Sequence, residues 1–288
     1  MPELPEVETI VNSLRSHVVG RIIAGIVIRD TRPVQRVTLE EFCQRLTGRR
    51  IEGLERRGKY IIFVLSQGEN MIVHLRMTGA LLWNPAGPEP FSRLEFTLDD
   101  GSSMVYTDVR RFGTFNLAEN PEEIVGKIGI EPLGNKFTLP ALGEYLGSRS
   151  TPVKSALLNQ ERIAGIGNMY ADEALFAAGI HPMRPSNSLN QREIATLHRS
   201  IRSVLKRAVE NKGASIRNYR CPDGAAGRAH EEFAVAHRGG QPCPRCSTPV
   251  ARIVVGQRGT YFCPKCQGAL RKVRDHQKAI RTDQRDLQ

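Results

Sequence analysis

The sequence predicts an α+β chain of several domains: an N-terminal β-sandwich with flanking helices, then a helical domain, then a short segment built around four cysteines. Runs rich in β-branched residues occupy the first half, helical periodicity follows, and paired Cys-x-x-Cys sequences lie near the C-terminus. A length of 288 residues is enough for more than one hydrophobic core. We expect four regions, at 1–135, 136–232, 233–270 and 271–288, the last a highly charged tail that we expect to be disordered.

The charge is unevenly distributed along the chain. The net charge is +11, yet residues 1–135 carry 16 basic and 18 acidic side chains, whereas residues 136–288 carry 25 and 12. A basic half joined to a near-neutral half indicates a module that binds a polyanion; the alternative is a solvated basic surface without a partner. The sequence contains neither an apolar stretch of about 18 residues nor a signal peptide, so we expect a cytoplasmic protein that binds no membrane.

The first fourteen residues predict an amphipathic helix. Val7, Ile10, Val11 and Leu14 follow the i, i+3, i+4, i+7 spacing of one helix face. Pro5 suits the first turn of a helix, where an N–H is not needed. This helix therefore begins almost at the chain terminus and has an apolar face to bury.

The terminus itself is a candidate nucleophile. Removal of Met1 by an aminopeptidase would leave the secondary amine of Pro2, followed by the carboxylate of Glu3. An α-amino group titrates near ~7.7–8, and a helix N-terminus lowers that value, so part of it is neutral at physiological pH. Such an amine can form an iminium with a carbon electrophile, with Glu3 moving protons. The alternative is a proline that only begins a helix.

The region after the first helix alternates apolar runs with turn residues. Residues 39–46 predict a short helix capped by Thr38. Gly, Pro and Asp residues separate five predicted strands, at 21–30, 59–65, 71–77, 93–98 and 103–107. Short strands with regular turns predict a β-sandwich with the first helix packed against it.

Helical signals follow a linker that we place at 131–137. Four helices are predicted, at 139–146, 152–158, 168–178 and 190–211. Asn190 and Glu193 form the capping-box pattern at the start of the last helix. Residues 213–232 form a long Gly-rich loop, and such loops are commonly functional or mobile.

Four cysteines are spaced as metal ligands. They form two Cys-x-x-Cys pairs sixteen residues apart: Cys243, Cys246, Cys263 and Cys266. Four thiolates from two such pairs make a closed tetrahedral site, which predicts one structural Zn²⁺ ion that folds the intervening hairpin. Redox-active thiols are the alternative, although no βαβ pattern surrounds them.

Residues 152–178 predict a helix, a glycine turn and a second helix. Gly165 and Gly167 allow close backbone approach, and the free N–H groups where the helix starts at Asn168 can hold an anion. A tight helical hairpin without a ligand is the alternative.

These strings together resemble one family. The start MPELPEVET, the string HLRMTG, the string DVRRFG, the segment 152–178 and the four cysteines occur in the order found in formamidopyrimidine-DNA glycosylases. The resemblance covers about residues 1–268 and implies a helix–two-turn–helix element in 136–232 and a zinc finger after it. It also implies base-excision repair: excision of oxidised purines such as 8-oxoguanine through a Pro2 Schiff base, then β,δ-elimination at the abasic site. The partner would be damaged double-stranded DNA, and we expect a monomer.

The resemblance also implies site residues. The catalytic group would be Pro2, Glu3, Glu6 and Lys59. DNA contacts would come from His74, Met77, Arg110, Arg111, Phe112, Lys154, Asn168 and Arg258, among which Met77, Arg110 and Phe112 would fill the space left by the extruded nucleotide. Ser215 and Tyr219, with Asp223, Gly224 and Gly227, would belong to the loop that closes over the extruded base.

Some positions depart from the family pattern, and two other functions stay open. Ala236 and His237 stand where the family usually has an aromatic residue and a glycine, and Ala229 stands where an aromatic is frequent. A sister branch that removes oxidised pyrimidines usually has glycine in place of Leu4, so Leu4 argues against it. A damaged-DNA-binding protein without chemistry is the alternative from another class.

Overall fold

The computed structural model describes residues 1–216 and 219–268 and contains seven α-helices and ten strands in that part of the chain. The helices are α1 (Leu4–Val18), α2 (Leu39–Leu46), α3 (Glu122–Val125), α4 (Leu139–Gly147), α5 (Val153–Leu157), α6 (Asn168–Ala178) and α7 (Gln191–Glu210). The strands are β1 (Ile23–Ile28), β2 (Ile51–Arg57), β3 (Tyr60–Leu65), β4 (Asn70–His74), β5 (Gly79–Trp83), β6 (Ser92–Leu98), β7 (Ser103–Asp108), β8 (Thr114–Ala118), β9 (Ala251–Val255) and β10 (Arg258–Phe262).

Two four-stranded antiparallel sheets form the predicted β-sandwich. Their strand orders are β1-β6-β7-β5 and β2-β3-β4-β8, and apolar side chains from both sheets meet in one buried cluster. The sequence analysis missed β2, β5 and β8. It also extended β4 to residue 77, whereas the strand ends at His74 because Arg76 adopts a φ of 53° in the turn that follows. Met77 therefore lies in a turn, not on a strand.

Helix α1 joins the two halves of the chain. Its predicted apolar face, Val7, Ile10, Val11 and Leu14, is fully buried against the sandwich. Leu4, at the first position of the helix, is instead buried in the cluster of the helical region. One helix thus contributes to both hydrophobic cores, and this fixes the chain terminus between them.

The helical region contains the predicted helices, with the predicted capping box at the start of α7. Asn190 Oδ1 accepts from Glu193 N at 2.9 Å, and Glu193 Oε2 accepts from Asn190 N at 2.9 Å. Between α5 and α6, Gly165 has a φ of 78°, in the region that favours glycine. This turn places the N-terminus of α6 beside the start of α1.

Strands β9 and β10 form the predicted cysteine hairpin. Gly256 and Gln257 both have positive φ, as a two-residue hairpin turn of the type that matches strand twist requires. Arg258 directly follows the turn and is exposed. The hairpin packs on α6, where Tyr261 N donates to Asp172 Oδ2 at 3.0 Å.

The Gly-rich loop leaves the helical region and returns along the sandwich. Trp83 N in β5 donates to the Pro222 carbonyl at 2.8 Å, and Arg220 pairs with Glu89 at 2.8 Å. Tyr219 and Cys221 are buried in the sandwich cluster. The predicted disordered tail at 271–288 lies outside the described residues. Across the described ranges, none of the helices combines the length and the apolar character that crossing a membrane would need.

Candidate active site

The starts of α1 and α6 meet end to end. Glu3 is the N-cap of α1, and its buried carboxylate accepts from Met169 N at 3.1 Å and Tyr170 N at 3.5 Å in the first turn of α6. The Leu4 amide donates to the Gly165 carbonyl at 3.0 Å. Unpaired N–H groups and the helix dipole stabilise negative charge at this end of α6. The contact therefore fixes Glu3 and with it the adjacent Pro2.

Glycine at position 167 leaves the space that Glu3 occupies. A β-carbon at Gly167 would lie 2.2 Å from Glu3 Cδ and 2.4 Å from Glu3 Oε1. No real contact is that short, so any other residue here would displace the carboxylate. This requirement adds a steric reason to the anion-binding role that the sequence predicts for the turn.

Glu6 is a second buried carboxyl beside Glu3. It accepts from Glu3 N at 2.7 Å, from the Tyr170 hydroxyl at 2.5 Å and from Ala214 N at 2.8 Å. Burial, reinforced by the negative charge of Glu3, raises the pKa of Glu6 from 4.5 to about 7. Glu6 thus links α1, α6 and the start of the Gly-rich loop, and it can hold a proton near neutral pH.

A cavity of about 320 Å³ opens in front of Pro2. The residues around it are Met1, Pro2, Glu6, Met77, Thr78, Gly79, Arg110, Met169, Ala214, Ile216, Tyr219 and His237. They come from α1, the sandwich, α6, the Gly-rich loop and the segment before the cysteine hairpin. An apolar hollow of this size with a few polar groups is typical of a small-ligand site.

Arg110, Met77 and Phe112 form an exposed cluster at this cavity. The Arg110 guanidinium donates to Met77 Sδ at 3.1 Å and lies over the Phe112 ring, 4.7 Å from its centroid. Met77 and Phe112 are 46% and 51% exposed, unusual for such apolar side chains, and both project from turns. The structure brings these three predicted residues together.

The buried Asp108 carboxylate shapes the turn that carries this cluster. It accepts from the Thr78 hydroxyl, from Tyr106 Oη at 2.8 Å, from Phe112 N at 2.9 Å and from Gly113 N at 3.0 Å. Burial alone would raise the pKa of Asp108, but these hydrogen bonds hold it below its ordinary value. The sequence analysis did not select Asp108, although it opens the DVRRFG string.

A second hollow of about 320 Å³ adjoins the terminus and is cationic. Its polar wall includes Lys59, His74, Arg76, Gln160 and Arg258, and Met1 lines both hollows. Burial lowers the pKa of Lys59. The negative charge of Glu3 raises this pKa, and the positive charge of Arg258 lowers it further. Convergent cations from the sandwich and the cysteine hairpin make this a candidate anion site, hereafter the cationic cleft.

His74 is neutral in the cationic cleft. Burial, with the charges of Arg76 and Lys59, lowers its pKa to about 3. Its Nδ1 accepts from Arg76 N at 2.9 Å, which leaves the proton on Nε2 and makes that atom a donor. Arg76, which sequence reasoning missed, lies in the same HLRMTG string as His74 and Met77.

Two predicted DNA-contacting residues form hydrogen bonds within the protein. The Lys154 side chain is fully buried; its Nζ lies 2.7 Å from Asp172 Oδ1 and donates to Thr260 Oγ1 at 2.8 Å. Asn168 Nδ2 donates to the Gly259 carbonyl at 2.9 Å. The predicted DNA contact of Lys154 is therefore wrong for this conformation, because its side chain is fully buried, whereas the contact of the partly exposed Asn168 stays a prediction. Both side chains hold the hairpin that carries Arg258 against α6.

The remaining predicted residues, Arg111, Ser215 and Tyr219, each contact a different part of the protein. The exposed Arg111 side chain lies 3.6 Å from Asp30. Ser215 Oγ donates to the Tyr219 carbonyl and accepts from Gly227 N, each at 2.9 Å, so it closes the base of the loop. Tyr219 Oη donates to the Lys212 carbonyl at 3.2 Å. Tyr219 lines the cavity in front of Pro2, whereas Ser215 does not line it and contacts Tyr219 through the Tyr219 carbonyl.

The four predicted ligands form one cluster. The Sγ atoms of Cys243, Cys246, Cys263 and Cys266 all lie within 4.8 Å of one another. The Cys243–Cys266 and Cys246–Cys263 Sγ distances are 3.9 and 3.4 Å, close to the ~3.8 Å edge of a tetrahedron with 2.3 Å metal–sulfur bonds. The thiolate set therefore fits one structural zinc ion, and it leaves no ligand position for a reactant.

Sequence and structure comparisons agree on the family. The formamidopyrimidine-DNA glycosylase N-terminal domain matches residues 1–115, the H2TH domain of the same enzymes matches 128–220, and the zinc finger found in FPG and IleRS matches 240–268. A formamidopyrimidine-DNA glycosylase of Chloroflexus aggregans is 44% identical over 271 residues, covering 93% of this chain and 98% of that protein. The chain belongs to the formamidopyrimidine-DNA glycosylase family.

Solved structures of this family share the fold throughout. The MutM (Fpg) protein of Thermus thermophilus superposes with a TM-score of 0.85 at 40% identity, covering 93% of this chain and 99% of that one. Lactococcus lactis Fpg in complex with DNA containing an abasic site gives a TM-score of 0.85 at 36% identity, with 93% and 100% coverage. The glycosylase family's zinc finger and helix–two-turn–helix element are thus present here.

Substitution of Gly167 by alanine tests the contact between Glu3 and α6. We expect the free energy of unfolding to fall by about 1–3 kcal/mol, because the new β-carbon must displace the Glu3 carboxylate. Gly143→Ala is the matched control, since its β-carbon meets only Ile194 at 3.9 Å inside α4 and should be neutral or stabilising. Urea denaturation measures both, and equal effects would contradict the steric requirement.

The raised pKa of Glu6 predicts a pH dependence of stability. The folded state holds a proton on Glu6 up to about pH 7, whereas the unfolded chain releases it near 4.5, so the free energy of unfolding falls as pH rises between these values. Glu6→Gln should remove this component, on the order of 3 kcal/mol at full ionisation. Urea denaturation from pH 4.5 to 8 measures it, and parallel profiles for both proteins would show that Glu6 does not titrate there.

Proposed function

We propose that this protein is a base-excision repair DNA glycosylase with AP-lyase activity, which uses the Pro2 amine to remove oxidised purines from double-stranded DNA. The observation that carries the proposal is the position of the terminus. Met1 lines both the cavity in front of Pro2 and the cationic cleft. A nucleotide with its base in the cavity and its phosphate in the cleft would place its sugar at residue 2 once Met1 is removed.

The chemistry follows from these placements. The Pro2 nitrogen attacks C1′ with its lone pair, and the C1′–N bond to the base breaks; the base leaves with that electron pair and takes a proton from water. The amine then loses its proton, and the C1′–O4′ bond breaks as the ring oxygen is protonated, so that the nitrogen lone pair forms the C1′=N iminium. Glu3, fixed by α6, takes up the proton that the amine loses and delivers it to that oxygen, and Glu6 supports Glu3 by accepting from the Glu3 amide. The resulting iminium withdraws electrons and acidifies the C2′ proton.

Strand cleavage completes the reaction. Loss of the C2′ proton expels the 3′ phosphate by breaking the C3′–O bond, and loss of the C4′ proton then expels the 5′ phosphate by breaking the C5′–O bond. Water then hydrolyses the conjugated imine and restores the Pro2 amine. Glu3 is the group placed to take and return protons in these steps.

The cationic cleft would hold the phosphate beside the damaged nucleotide. Lys59 reaches it from the turn after β2, which Glu131 holds by accepting from Gly58 N at 2.6 Å and pairing with Arg57 at 3.0 Å. Arg258 and His74 complete the grip, with His74 as a neutral Nε2 donor. Lys154 and Asn168 act indirectly, because they position the hairpin that carries Arg258.

Extrusion of the base needs a replacement in the stack. Met77 and Phe112 are exposed apolar side chains suited to insert into the duplex, and Arg110 can hydrogen-bond the opposite base. Lactococcus lactis Fpg has been crystallised with DNA containing N7-benzyl-Fapy-dG, with a TM-score of 0.87 to this chain. Formamidopyrimidines and 8-oxoguanine opposite cytosine are the proposed substrates, with the Gly-rich loop over the extruded base.

The domain limits and cellular setting are also proposals. Apart from Leu4, Tyr219 and Cys221, the two main hydrophobic clusters divide near residues 131–137, which supports a boundary between 1–135 and 136–232. A third cluster, which includes Val250 and Cys263, supports 233–270 as a separate unit. A cytoplasmic location and a monomeric state fit an enzyme whose partner is a DNA duplex.

Borohydride trapping tests the nucleophile. Protein with Met1 removed should form a covalent adduct with an abasic-site duplex, because reduction of the iminium makes the bond permanent. Protein that retains Met1 should form none, and Pro2→Gly should lower the yield at least about tenfold. Denaturing gel electrophoresis measures the adduct. Equal trapping with Met1 retained would rule out the terminal amine and leave an internal lysine or a non-catalytic binder.

Arg110 and Arg111 form a matched pair for testing readout of the opposite base. Arg110→Ala should reduce the preference for cytosine about tenfold while changing overall affinity less, because a base-edge contact carries discrimination. Arg111→Ala should instead weaken binding equally across all four opposite bases and make it less salt-dependent. Affinity measurements on the four duplexes decide between these roles; uniform loss with Arg110→Ala would refute the role of that residue.

A further inference from the structure

His237 occupies a backbone conformation that favours glycine. Its φ is 61°, in the left-handed region where a β-carbon crowds the backbone and glycine is favoured. The preceding residues are fixed, since the buried Glu173 carboxylate accepts from Ala234 N, Val235 N and Ala236 N at 2.8–2.9 Å. A non-glycine residue held in such a conformation beside an active site is a candidate for function.

The imidazole of His237 lies at the cavity in front of Pro2. His237 is exposed and lines that cavity, and its ring lies 5.6 Å from the Tyr261 ring. It is not among the residues of the cationic cleft. The cavity and not the cleft is therefore what this side chain faces.

Three polar side chains of the cavity wall form hydrogen bonds within the protein. Glu6 accepts three hydrogen bonds, the Thr78 hydroxyl donates to Asp108, and Tyr219 Oη donates to the Lys212 carbonyl. Much of the remaining wall is apolar, with Met77, Met169 and Ile216. An imidazole adds to this wall a flat aromatic face and ring nitrogens that can donate or accept.

We propose that His237 is a specificity-determining residue that contacts the extruded base, either by stacking or by a hydrogen bond to its edge. The inference rests on the proposed function, because it assigns a partner in the same cavity. A contact with the base acts on excision of a damaged base and not on cleavage at a site from which the base is already missing. This difference separates a base contact from a backbone contact.

The test compares two substrates in one set of variants. His237→Gly removes the imidazole without backbone strain, and His237→Asn keeps a polar side chain that tolerates positive φ. Gln67→Gly is the control: Gln67 is exposed with a φ of 64°, in the β3–β4 turn at the strand ends remote from Lys59 and His74. Each Met1-free protein is assayed for excision of 8-oxoguanine opposite cytosine and for cleavage of an abasic-site duplex. Thermal unfolding checks that each variant is folded.

We expect His237→Gly to lower kcat/KM for excision about five- to tenfold, the range of one lost hydrogen bond or stacking contact, with abasic-site cleavage unchanged. His237→Asn should recover part of the loss, and Gln67→Gly should change neither activity. Equal losses on both substrates for His237→Gly, or no loss on either, would overturn the inference about His237 and leave the proposed function standing. A wild-type protein inactive on both substrates would overturn the proposed function and the inference with it.

Discussion

The arrangement depends on one buried electrostatic contact, the Glu3 carboxylate at the N-terminus of α6. A chain terminus normally frays, because its first residues gain too little from packing to offset their lost conformational freedom. Here the Glu3 side chain accepts two amide hydrogen bonds from α6, and Leu4 packs in the core beyond it. A mobile end thereby becomes a rigid support for a nucleophile.

The same contact explains the pattern of charge around it. The Glu3 carboxylate accepts hydrogen bonds from the N-terminus of α6, whereas burial, reinforced by repulsion from the adjacent Glu3, raises the pKa of Glu6 to about 7. The cations lie on the far side of Met1, where Lys59 and Arg258 converge from different parts of the chain. Negative charge for proton transfer and positive charge for phosphate are therefore separated across the position of residue 2.

The sequence predicted the parts of this site better than their assembly. The α1 face, the cysteine ligands and the glycines at 165 and 167 each leave a local pattern, and the structure contains all of them. Lys154 was assigned to DNA through the family resemblance, and no local pattern indicates its burial; only tertiary packing shows Asp172 and Thr260 around it. Asp108, Glu131 and Tyr170 were missed for the same reason, since their partners are distant in sequence.

The central claim is that the amine at residue 2 bonds to deoxyribose. Mass spectrometry of the borohydride-reduced protein–DNA adduct, after proteolysis and nuclease digestion, tests it at the level of the residue. The account predicts that the sugar mass is found on the peptide that begins at Pro2, on its terminal nitrogen. Assignment of that mass to Lys59 or to any other internal lysine would contradict it.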